Sequence, residues 1–548
     1  MKRLFLIMVA FYAMFSYTLA SPTCIESGIA YKVIDDQTVF VCASDCSDSM
    51  SVKTDSTLII PSHVVISGKE YKVKGIAEAA YARCGWIKHL VISEGVEEIQ
   101  WAAFEACANL VDVVLPSSIK TLDYFVFSYC LNLSSIKVDE HNAYYDSRDN
   151  CNAIIRTSDN TLIYGCKDTK IPSSVTRIID YAFYGILIES VEIPEGLEDI
   201  RENAFCDCPL LKQVSISSTV EDIAPSAFNC SNISSIIVDE RNEIYDSRNN
   251  CNAIIDKDNC RLILGCGSTI IPAGVSEIGR SAFSGSLNLQ SIDIPEGITT
   301  IHQDAFYECS ALRRVTLPAS LTSFEGYEHF GRCESLESIV IPPKVMRLPN
   351  DIFMGCISLQ EIKVDANNQT YDSRNSCNAI ILTSDNELVA GCNGSIIVDG
   401  IKCIAEDAFF KSGITSIRIP ASVEDIHLSS FRLCSSLKSI TVDKGNKYYE
   451  SDGTNSIINK KNGKLILACS NSILSPKISS IGSYAFVNTP QWLILPSGIE
   501  SIEDYAFQEC DDLLLVFVPK TATNIGKRAF AGCYKLSKIV VYGDSSTK

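Results

Sequence analysis

The sequence predicts a repeat solenoid, in which the chain winds through about twenty stacked coils, each with a short parallel β-strand and a 3₁₀ or short helical turn. Two observations predict this fold class. A phenylalanine recurs along the chain at intervals of 21 to 24 or of 55 to 56 residues. A residue that closes a short apolar strand of the type "VEIP" recurs between these phenylalanines, and it divides each long interval into one ordinary coil and one enlarged coil of 32 to 34 residues.

The two recurring positions define the extent of the array. The phenylalanines, here called plug residues, follow Tyr81 and are Phe104, Phe127, Phe183, Phe205, Phe228, Phe283, Phe306, Phe330, Phe353, Phe409, Phe431, Phe486, Phe507 and Phe530. The strand-closing residues are Pro61, Ser93, Pro116, Asp139, Pro172, Pro194, Ser217, Asp239, Pro272, Pro295, Pro318, Pro342, Asp365, Asp399, Pro420, Asp443, Ser475, Pro496, Pro519 and Tyr542. The array is therefore predicted over residues 58–542, after a capping segment over 21–57 and before a tail over 543–548.

The coil "SVEIPEGLEDIRENAFCDCPLLKQV" shows how each element is predicted. Val191 and Ile193 alternate with polar residues and so point inward from a strand. Pro194 then turns the chain. Ala204 and Phe205 begin the tight turn, and Phe205 is expected to stack on its counterparts in the neighbouring coils. No coil of such an array buries its apolar side alone, so stacking must build the core.

The enlarged coils are predicted to contain inserted β-hairpins near 139–172, 239–272, 365–399 and 443–475. The stretch "YDSRDNCNAII" at 145–155 has the residue types of a catalytic or metal site, but it recurs at 245–255 and 371–381. In the fourth copy Asp452 replaces the arginine and Thr454 replaces the cysteine, while the apolar runs of the hairpin remain. We therefore interpret the stretch as structural, with Ca²⁺ binding by its acidic residues as the alternative.

The repeat carries a family resemblance. A period near 23 residues with one short strand per repeat is typical of leucine-rich-repeat solenoids. The pattern in "IPEGITTIHQDAFYECSALRRVTLP" resembles the BspA-like leucine-rich repeats of bacterial surface proteins, and "VVISGKEYKVKGIAEAAYARC" is similar to the start of those arrays. The resemblance implies a secreted or surface-exposed binding protein, since some members of the family are adhesins for extracellular-matrix and plasma proteins such as fibronectin and fibrinogen.

The N-terminus and the net charge limit where the protein acts. Lys2 and Arg3 precede an apolar run, and small residues lead to Ala20, so residues 1–20 are predicted to be a secretory signal peptide. The alternative is an uncleaved membrane anchor. No second apolar span follows, so no membrane span is expected after removal of the signal. The formal charge of −19 repels phosphate backbones, and no nucleic-acid partner is expected.

The cysteines are mostly in register with the plug residues. Those just past a plug are Cys84, Cys107, Cys130, Cys208, Cys230, Cys309, Cys333, Cys356, Cys434, Cys510 and Cys533. The coils that follow a hairpin carry Ile, Ser or Thr there, which form neither disulfides nor thiolate ligands, so we predict a ladder of buried free thiols. Disulfides are expected instead in the hairpins, between the pairs Cys151 and Cys166, Cys251 and Cys266, and Cys377 and Cys392. Cys42 and Cys46 are a further candidate pair.

The sequence contains no recognisable catalytic constellation. The six histidines have no metal-ligand spacing, and no "HExxH" or "GxSxG" motif occurs. We therefore expect no catalytic residues, no metal, no cofactor and no enzymatic activity.

Residues two positions before each strand-closing residue are expected to point outward. Over much of the array they are mixed in character. In the last four coils they are apolar, and with two residues further back they form the C-terminal patch: Ile473, Trp492, Ile494, Leu515, Phe517 and Val540. Exposed apolar patches mark interaction sites, and the alternative is that a hairpin or a second copy covers this end.

The function predicted from these observations is a secreted, cell-surface or periplasmic protein that binds a protein or glycan partner, such as an extracellular-matrix protein. A structural surface component without a soluble ligand is the alternative. A hydrolase on a solenoid is a further alternative, and it would require one coil with a non-repeating polar cluster.

Overall fold

The computed structural model describes residues 24–42, 56–229, 232–451 and 453–543. The predicted signal peptide over 1–20, Cys46, Cys230 and Asp452 lie outside the described residues. The chain divides into unit 1, of residues 1–211 and 219–228, and unit 2, of residues 212–218 and 229–548. Within the described residues no helix has the length and apolar character needed to cross a membrane.

The strands are numbered in chain order. Those of unit 1 are β1 (Cys24–Glu26), β2 (Ile29–Val33), β3 (Thr38–Val41), β4 (Thr57–Ile60), β5 (His63–Ile66), β6 (Lys69–Ile76), β7 (His89–Ile92), β8 (Glu98–Ile99), β9 (Asp112–Leu115), β10 (Thr121–Leu122), β11 (Ser135–Val138), β12 (Tyr145–Asp146), β13 (Ile154–Arg156), β14 (Thr161–Tyr164), β15 (Arg177–Ile178), β16 (Ser190–Glu192), β17 (Asp199–Ile200) and β19 (Asp222–Ile223).

Unit 2 contains the remaining strands. They are β18 (Gln213–Ile216), β20 (Ser235–Val238), β21 (Tyr245–Asp246), β22 (Ile254–Asp256), β23 (Arg261–Leu264), β24 (Glu277–Ile278), β25 (Ser291–Asp293), β26 (Thr300–His302), β27 (Arg314–Thr316), β28 (Ser323–Glu325), β29 (Ser338–Ile341), β30 (Glu361–Val364), β31 (Tyr371–Asp372), β32 (Ala379–Leu382), β33 (Glu387–Gly391), β34 (Cys403–Ile404), β35 (Ser416–Ile419), β36 (Asp425–Ile426), β37 (Ser439–Val442), β38 (Tyr449–Glu450), β39 (Ser456–Asn459), β40 (Lys464–Ala468), β41 (Ser480–Ile481), β42 (Trp492–Ile494), β43 (Ser501–Ile502), β44 (Leu515–Pro519), β45 (Asn524–Ile525) and β46 (Lys538–Tyr542).

The predicted repeat solenoid is confirmed, because successive coils pair through parallel strands on two faces. On the long-strand face, β4, β7, β9 and β11 of unit 1 pair in parallel, as do β42, β44 and β46 of unit 2. On the short-strand face, strands of two or three residues pair in the same way, as in β15, β17 and β19. The long strands alternate inward and outward, so that Val113 and Leu115 are fully buried and Val114 is exposed.

Each enlarged coil contains an antiparallel hairpin that joins the short-strand face. In the first copy β12 pairs with β13 and β13 with β14, both antiparallel, and β14 then pairs in parallel with β15. The same order recurs in β21 to β24, β31 to β34 and β38 to β41. The insertion therefore adds two strands to a coil without interrupting the stack.

The plug residues form columns of stacked rings inside the coils. Phe283 and Phe306 are parallel with centroids 5.1 Å apart, and Phe306 and Phe330 are 5.3 Å apart. Phe205 and Phe228 stack at 5.0 Å in unit 1. Stacked aromatic pairs contribute beyond their buried area, so the columns stabilise neighbouring coils against each other.

The plug segments, predicted as 3₁₀ or short helical turns, are tight turns without a regular helix. At most plugs the residues two before and two after have left-handed φ angles, for example 53° at Ala102 and 56° at Ala106 around Phe104. This alternation directs the N–H groups along the array, and Phe104 N–H donates to the carbonyl of Val126 in the next coil at 3.0 Å. Hydrogen bonds between coils therefore alternate with bonds inside the turn, such as that from the Glu105 N–H to the carbonyl of Ala102 at 3.0 Å. The 3₁₀ turns lie in three hairpins instead, at Arg148–Asn150, Arg248–Asn250 and Arg374–Ser376.

Candidate functional site

The charged residues of the repeated stretch bind one another within the hairpin. Arg148 Nε donates to Asp146 Oδ1 at 2.9 Å, and its Nη2 donates to Asp146 Oδ2 at 2.6 Å. The Ser147 hydroxyl accepts the backbone N–H of Val138 at 3.1 Å. Both contacts recur in the second and third copies. Because the same pair of guanidinium and carboxylate recurs in three hairpins, it stabilises each hairpin and does not form a single catalytic centre.

A buried asparagine in each enlarged coil fixes the start of the hairpin. Asn142 Nδ2 donates to the carbonyls of Pro116 and Ile119 at 2.9 and 3.0 Å. Its Oδ1 accepts the N–H groups of Tyr144 and Tyr145 at 2.8 and 2.9 Å. Asn368 and Asn446 make the same four bonds. In the part of the chain that the structure describes, no group of three or more His, Cys, Asp or Glu residues is placed to hold a metal ion.

The cysteines past the plug donate hydrogen bonds to the plug carbonyl of the preceding coil. The Sγ–O distances are Cys107 to Tyr81, 3.1 Å; Cys130 to Phe104, 3.2 Å; Cys208 to Phe183, 3.1 Å; Cys309 to Phe283, 3.0 Å; Cys333 to Phe306, 3.1 Å; Cys356 to Phe330, 3.1 Å; Cys434 to Phe409, 2.9 Å; Cys510 to Phe486, 3.7 Å; and Cys533 to Phe507, 3.0 Å. Burial raises the pKa of the Cys107 and Cys309 thiols to about 12. These thiols are protonated donors, which suits a structural role and not a nucleophilic one.

Three predictions about cysteine oxidation are wrong. The hairpin cysteines are free thiols, as at Cys151 and Cys166. Their sulfurs contact backbone carbonyls, with Cys166 Sγ 3.2 Å from the oxygen of Asn152. Conversely Cys84, predicted as a rung of the thiol ladder, is disulfide-bonded. Cys42 is a free thiol, so the predicted pair of Cys42 and Cys46 does not form; Cys46 itself lies outside the described residues.

The structure places five of the six C-terminal patch residues on one parallel sheet. Trp492 lies opposite Leu515, and Ile494 lies opposite Phe517. Phe517 in turn lies opposite Val540 on β46. Trp492 and Ile494 are 64% and 53% exposed, and the other three are half-buried. Two adjacent rows of apolar side chains therefore share the outward face of β42, β44 and β46.

Ile473 does not join this sheet. It is 70% exposed, but it lies outside the strands, and its N–H donates to the carbonyl of Thr454 at 2.8 Å. That bond ties it to the fourth hairpin. The outward apolar residues were predicted to align across four coils, and the structure aligns them across three.

The last coil also exposes residues whose counterparts are buried. Ile539 and Val541 on β46 are 47% and 62% exposed, whereas Val516 and Val518, which pair with them on β44, are buried. Among the described residues β46 pairs with a strand on one side only. Apolar surface therefore continues from the outward face around the edge of the sheet.

A second apolar row lies on the long-strand face of unit 1, which the sequence analysis missed. Ile59, Val91 and Val114 lie opposite one another on β4, β7 and β9. The row beside it is polar, because His89 is hydrogen-bonded to Asp112. The row of Ile59, Val91 and Val114 contains no aromatic residue, unlike the C-terminal patch.

A pocket in unit 1 was also missed. It has a volume of about 170 Å³ and is lined by residues of two ordinary coils and the first hairpin, including Tyr124, Phe125 and Tyr181. These residues are separated along the chain by the hairpin, so periodicity does not bring them together. A position-by-position comparison of the four enlarged coils would have revealed them, because the other three lack this set of aromatic residues.

Comparison with known proteins identifies the repeat. The family model described as a BspA type leucine rich repeat region matches six copies, over residues 69–154, 160–257, 258–379, 390–462 and 464–547. No curated protein matches the chain.

Solved structures of bacterial repeat proteins are similar to most of the chain. A leucine-rich cell surface protein from Faecalibacterium prausnitzii is 17% identical with a TM-score of 0.32, and the alignment covers 95% of each chain. A leucine-rich repeat protein from Eubacterium ventriosum is 17% identical with a TM-score of 0.39 and 96% coverage of each chain. One from Bacteroides ovatus is 20% identical with a TM-score of 0.26 and 94% coverage of each.

Proposed function

Because the chain belongs to the BspA-type leucine-rich-repeat family, we propose that it is a non-enzymatic scaffold at the cell surface and that it binds a protein partner through the C-terminal patch. The predicted signal peptide over 1–20 supports export. The Faecalibacterium prausnitzii protein that is similar to this chain is described as a cell surface protein. Solenoids of this kind offer extended surfaces to their partners.

The exposed apolar surface around Trp492 and Phe517 carries the proposal. Large exposed apolar patches are uncommon on soluble proteins and mark interaction sites. Tryptophan and other large aromatic residues are also the usual anchors of protein–protein interfaces. The rows of the C-terminal patch contain two such anchors on rigid strands, which lowers the entropy lost on binding.

The apolar character of the C-terminal patch favours a protein over a glycan as the partner. Ile539 and Val541 on β46 add exposed apolar surface beside its rows. A glycan would need polar side chains beside the aromatic ones, and the rows from Trp492 to Val540 are apolar apart from Lys538, which lies opposite Leu515.

Binding to immobilised full-length chain tests the proposal. Fibronectin, fibrinogen and a panel of glycans are passed over the surface, first with the unaltered chain and then with Phe517→Asp. We expect saturable binding of a protein, weakened at least about tenfold by a charge at the anchor position. The circular dichroism spectrum should not change, because the Phe517 side chain points outward.

Val91→Asp is the matched control, since it places the same charge on the outward face of a strand in unit 1. If the two variants weaken binding equally, the C-terminal patch is not the site. If only a glycan binds, the proposed binding of a protein partner is wrong. If no protein in the panel binds, the proposal is wrong for matrix and plasma proteins, and a structural surface role becomes the better interpretation.

A further inference from the structure

The pocket in unit 1 is built where the first hairpin meets the ordinary coils on either side. Its volume is about 170 Å³. Binding pockets for whole small molecules are usually about 300–1,000 Å³, whereas an apolar cavity of about 150 Å³ holds a group the size of benzene. The pocket is therefore suited to one planar side-chain group.

Aromatic rings form one wall of the pocket. The Phe125 and Tyr181 rings lie 4.9 Å apart, and Tyr124, which is 51% exposed, lies at the rim beside Phe125. Phe125 and Tyr181 have φ angles of 62° and 61°. The left-handed region is unfavourable for bulky side chains, and the equivalent positions of neighbouring coils hold Ala102 and Asn203.

Carboxylates give the pocket a negative charge. Asp123 and Asp180 line it, and neither forms an ion pair with a described residue. Arg156 also lines it, but its guanidinium binds Asp159 through bonds of 3.0 and 2.7 Å. These bonds lower the pKa of the Asp159 carboxyl. The arginine is thus neutralised locally, and two unpaired carboxylates remain beside the aromatic wall.

The second enlarged coil shows that the fold does not require this arrangement. At its equivalent positions, Ala224 replaces Asp123, Ser226 replaces Phe125, Arg280 replaces Asp180 and Ser281 replaces Tyr181, as the strand register sets them. That hairpin has the same strand order and the same buried core. The aromatic and acidic residues of the first coil are therefore additions to a scaffold that folds without them.

An arginine occupies a comparable arrangement in unit 2. The guanidinium carbon of Arg432 lies 3.9 Å from the ring centre of Phe410 and 5.4 Å from that of Tyr484. Its Nη2 lies 3.5 Å from Asp407. Tyr484 has the place in its coil that Tyr181 has in the first hairpin coil. Rings and a carboxylate on this side of a coil can thus hold a guanidinium.

We propose that the pocket formed by Asp123, Phe125, Asp180 and Tyr181 receives the guanidinium of an arginine from a protein partner. A guanidinium is planar, stacks on aromatic faces and pairs with carboxylates, and it is less strongly hydrated than an ammonium group. The charge of −19 further attracts basic segments. This site goes beyond the proposed function, since it lies in unit 1 and does not depend on the C-terminal patch.

Ligand-observed NMR on the full-length chain tests the site with three probes: Nα-acetyl-arginine amide, Nα-acetyl-lysine amide and N-acetylglucosamine. The test variant combines Asp180→Arg and Tyr181→Ser, which are the residues of the second enlarged coil, so the fold is expected to tolerate them. Phe125→Ala is a second variant, for which Ala102 is the precedent. Asp258→Arg makes the same charge change at an exposed hairpin tip, outside the pocket.

We expect saturable binding of the arginine probe and weaker binding of the lysine probe. The affinity for the arginine probe should fall about tenfold or more in both pocket variants, and it should not fall in Asp258→Arg. Circular dichroism and thermal melting check that the variants fold. Absence of arginine binding, or binding that persists in both pocket variants, would overturn the proposal. Binding of N-acetylglucosamine alone, lost in the pocket variants, would also overturn it and assign the pocket to a glycan.

Discussion

Gly265 is a position at which one added methyl group should damage the fold. The residue precedes Cys266 in the second hairpin, and a Cβ atom built there would lie 2.2 and 2.5 Å from two atoms of the Phe283 ring. Gly165 and Gly391 face Phe183 and Phe409 in the same way, with nearest distances of 2.0 and 2.2 Å. Gly265 does not have a positive φ, so the effect of Gly265→Ala is a matter of space and not of backbone strain.

The magnitude follows from the plug column. A Cβ at those distances forces the Phe283 ring to move, and overpacking a core costs about 1–3 kcal/mol. The ring is stacked on Phe306 at 5.1 Å, and losing an aromatic pair costs about 0.5–1.5 kcal/mol more. We therefore expect Gly265→Ala to lower the free energy of unfolding by about 2–4 kcal/mol.

Guanidinium denaturation, with hydrogen exchange to locate the change in the second hairpin, measures the effect. Gly445→Ala is the control, because its new Cβ would meet only Ala421, at 3.5 Å. It should be neutral or slightly stabilising. Phe283→Leu in the Gly265→Ala chain should recover part of the loss. If Gly265→Ala is no more destabilising than Gly445→Ala, the close fit between glycine and plug does not specify the hairpin.

Two further predictions concern titratable groups in the core. At pH 8 the native chain should react with maleimide at partly exposed cysteines such as Cys206 and not at Cys309 or Cys434, because burial raises the pKa of these two thiols to about 12. The denatured chain should show at least the 21 thiols that are free in the structure. A thiol count near zero in the denatured chain would contradict the thiol ladder. Burial lowers the pKa of His329 from 6.5 to about 4. Between pH 4 and pH 6.5 the folded chain therefore binds fewer protons than the unfolded chain. Up to about 3 kcal/mol of the free energy of unfolding that is present above pH 6.5 should be lost as the pH falls through this range. Urea midpoints should show a flatter dependence on pH in His329→Gln, and parallel profiles would contradict this role.

The sequence was sufficient to predict the features that one coil repeats in the next. Plug residues such as Phe306 and strand-closing residues such as Pro318 recur at nearly constant spacing, because each coil contacts its neighbours in the same way. The turn at each plug was predicted as a 3₁₀ or short helical turn, but some of its hydrogen bonds run to the next coil and not within the turn. A single coil contains no signal for a bond such as that from Phe104 to Val126.

The candidate sites were harder to predict, because they depend on where the repeat is broken. The outward positions of Trp492 and Phe517 were predictable, since each lies at the same distance from the end of its strand. Ile473 was misplaced because the segment after a hairpin is held by that hairpin and not by the neighbouring strand. Phe125 and Tyr181 lie 56 residues apart, and only the folded hairpin brings the two coils together.

The hydrogen bonds from cysteine to plug carbonyl have a consequence for where the protein can mature. In the described residues apart from Cys84, each core sulfur completes its contacts as a thiol. The ladder from Cys309 to Cys356 therefore forms without an oxidant and without pairing enzymes to select partners. This part of the core can therefore form where disulfide formation is slow, whereas the Cys84 disulfide in unit 1 still requires an oxidant.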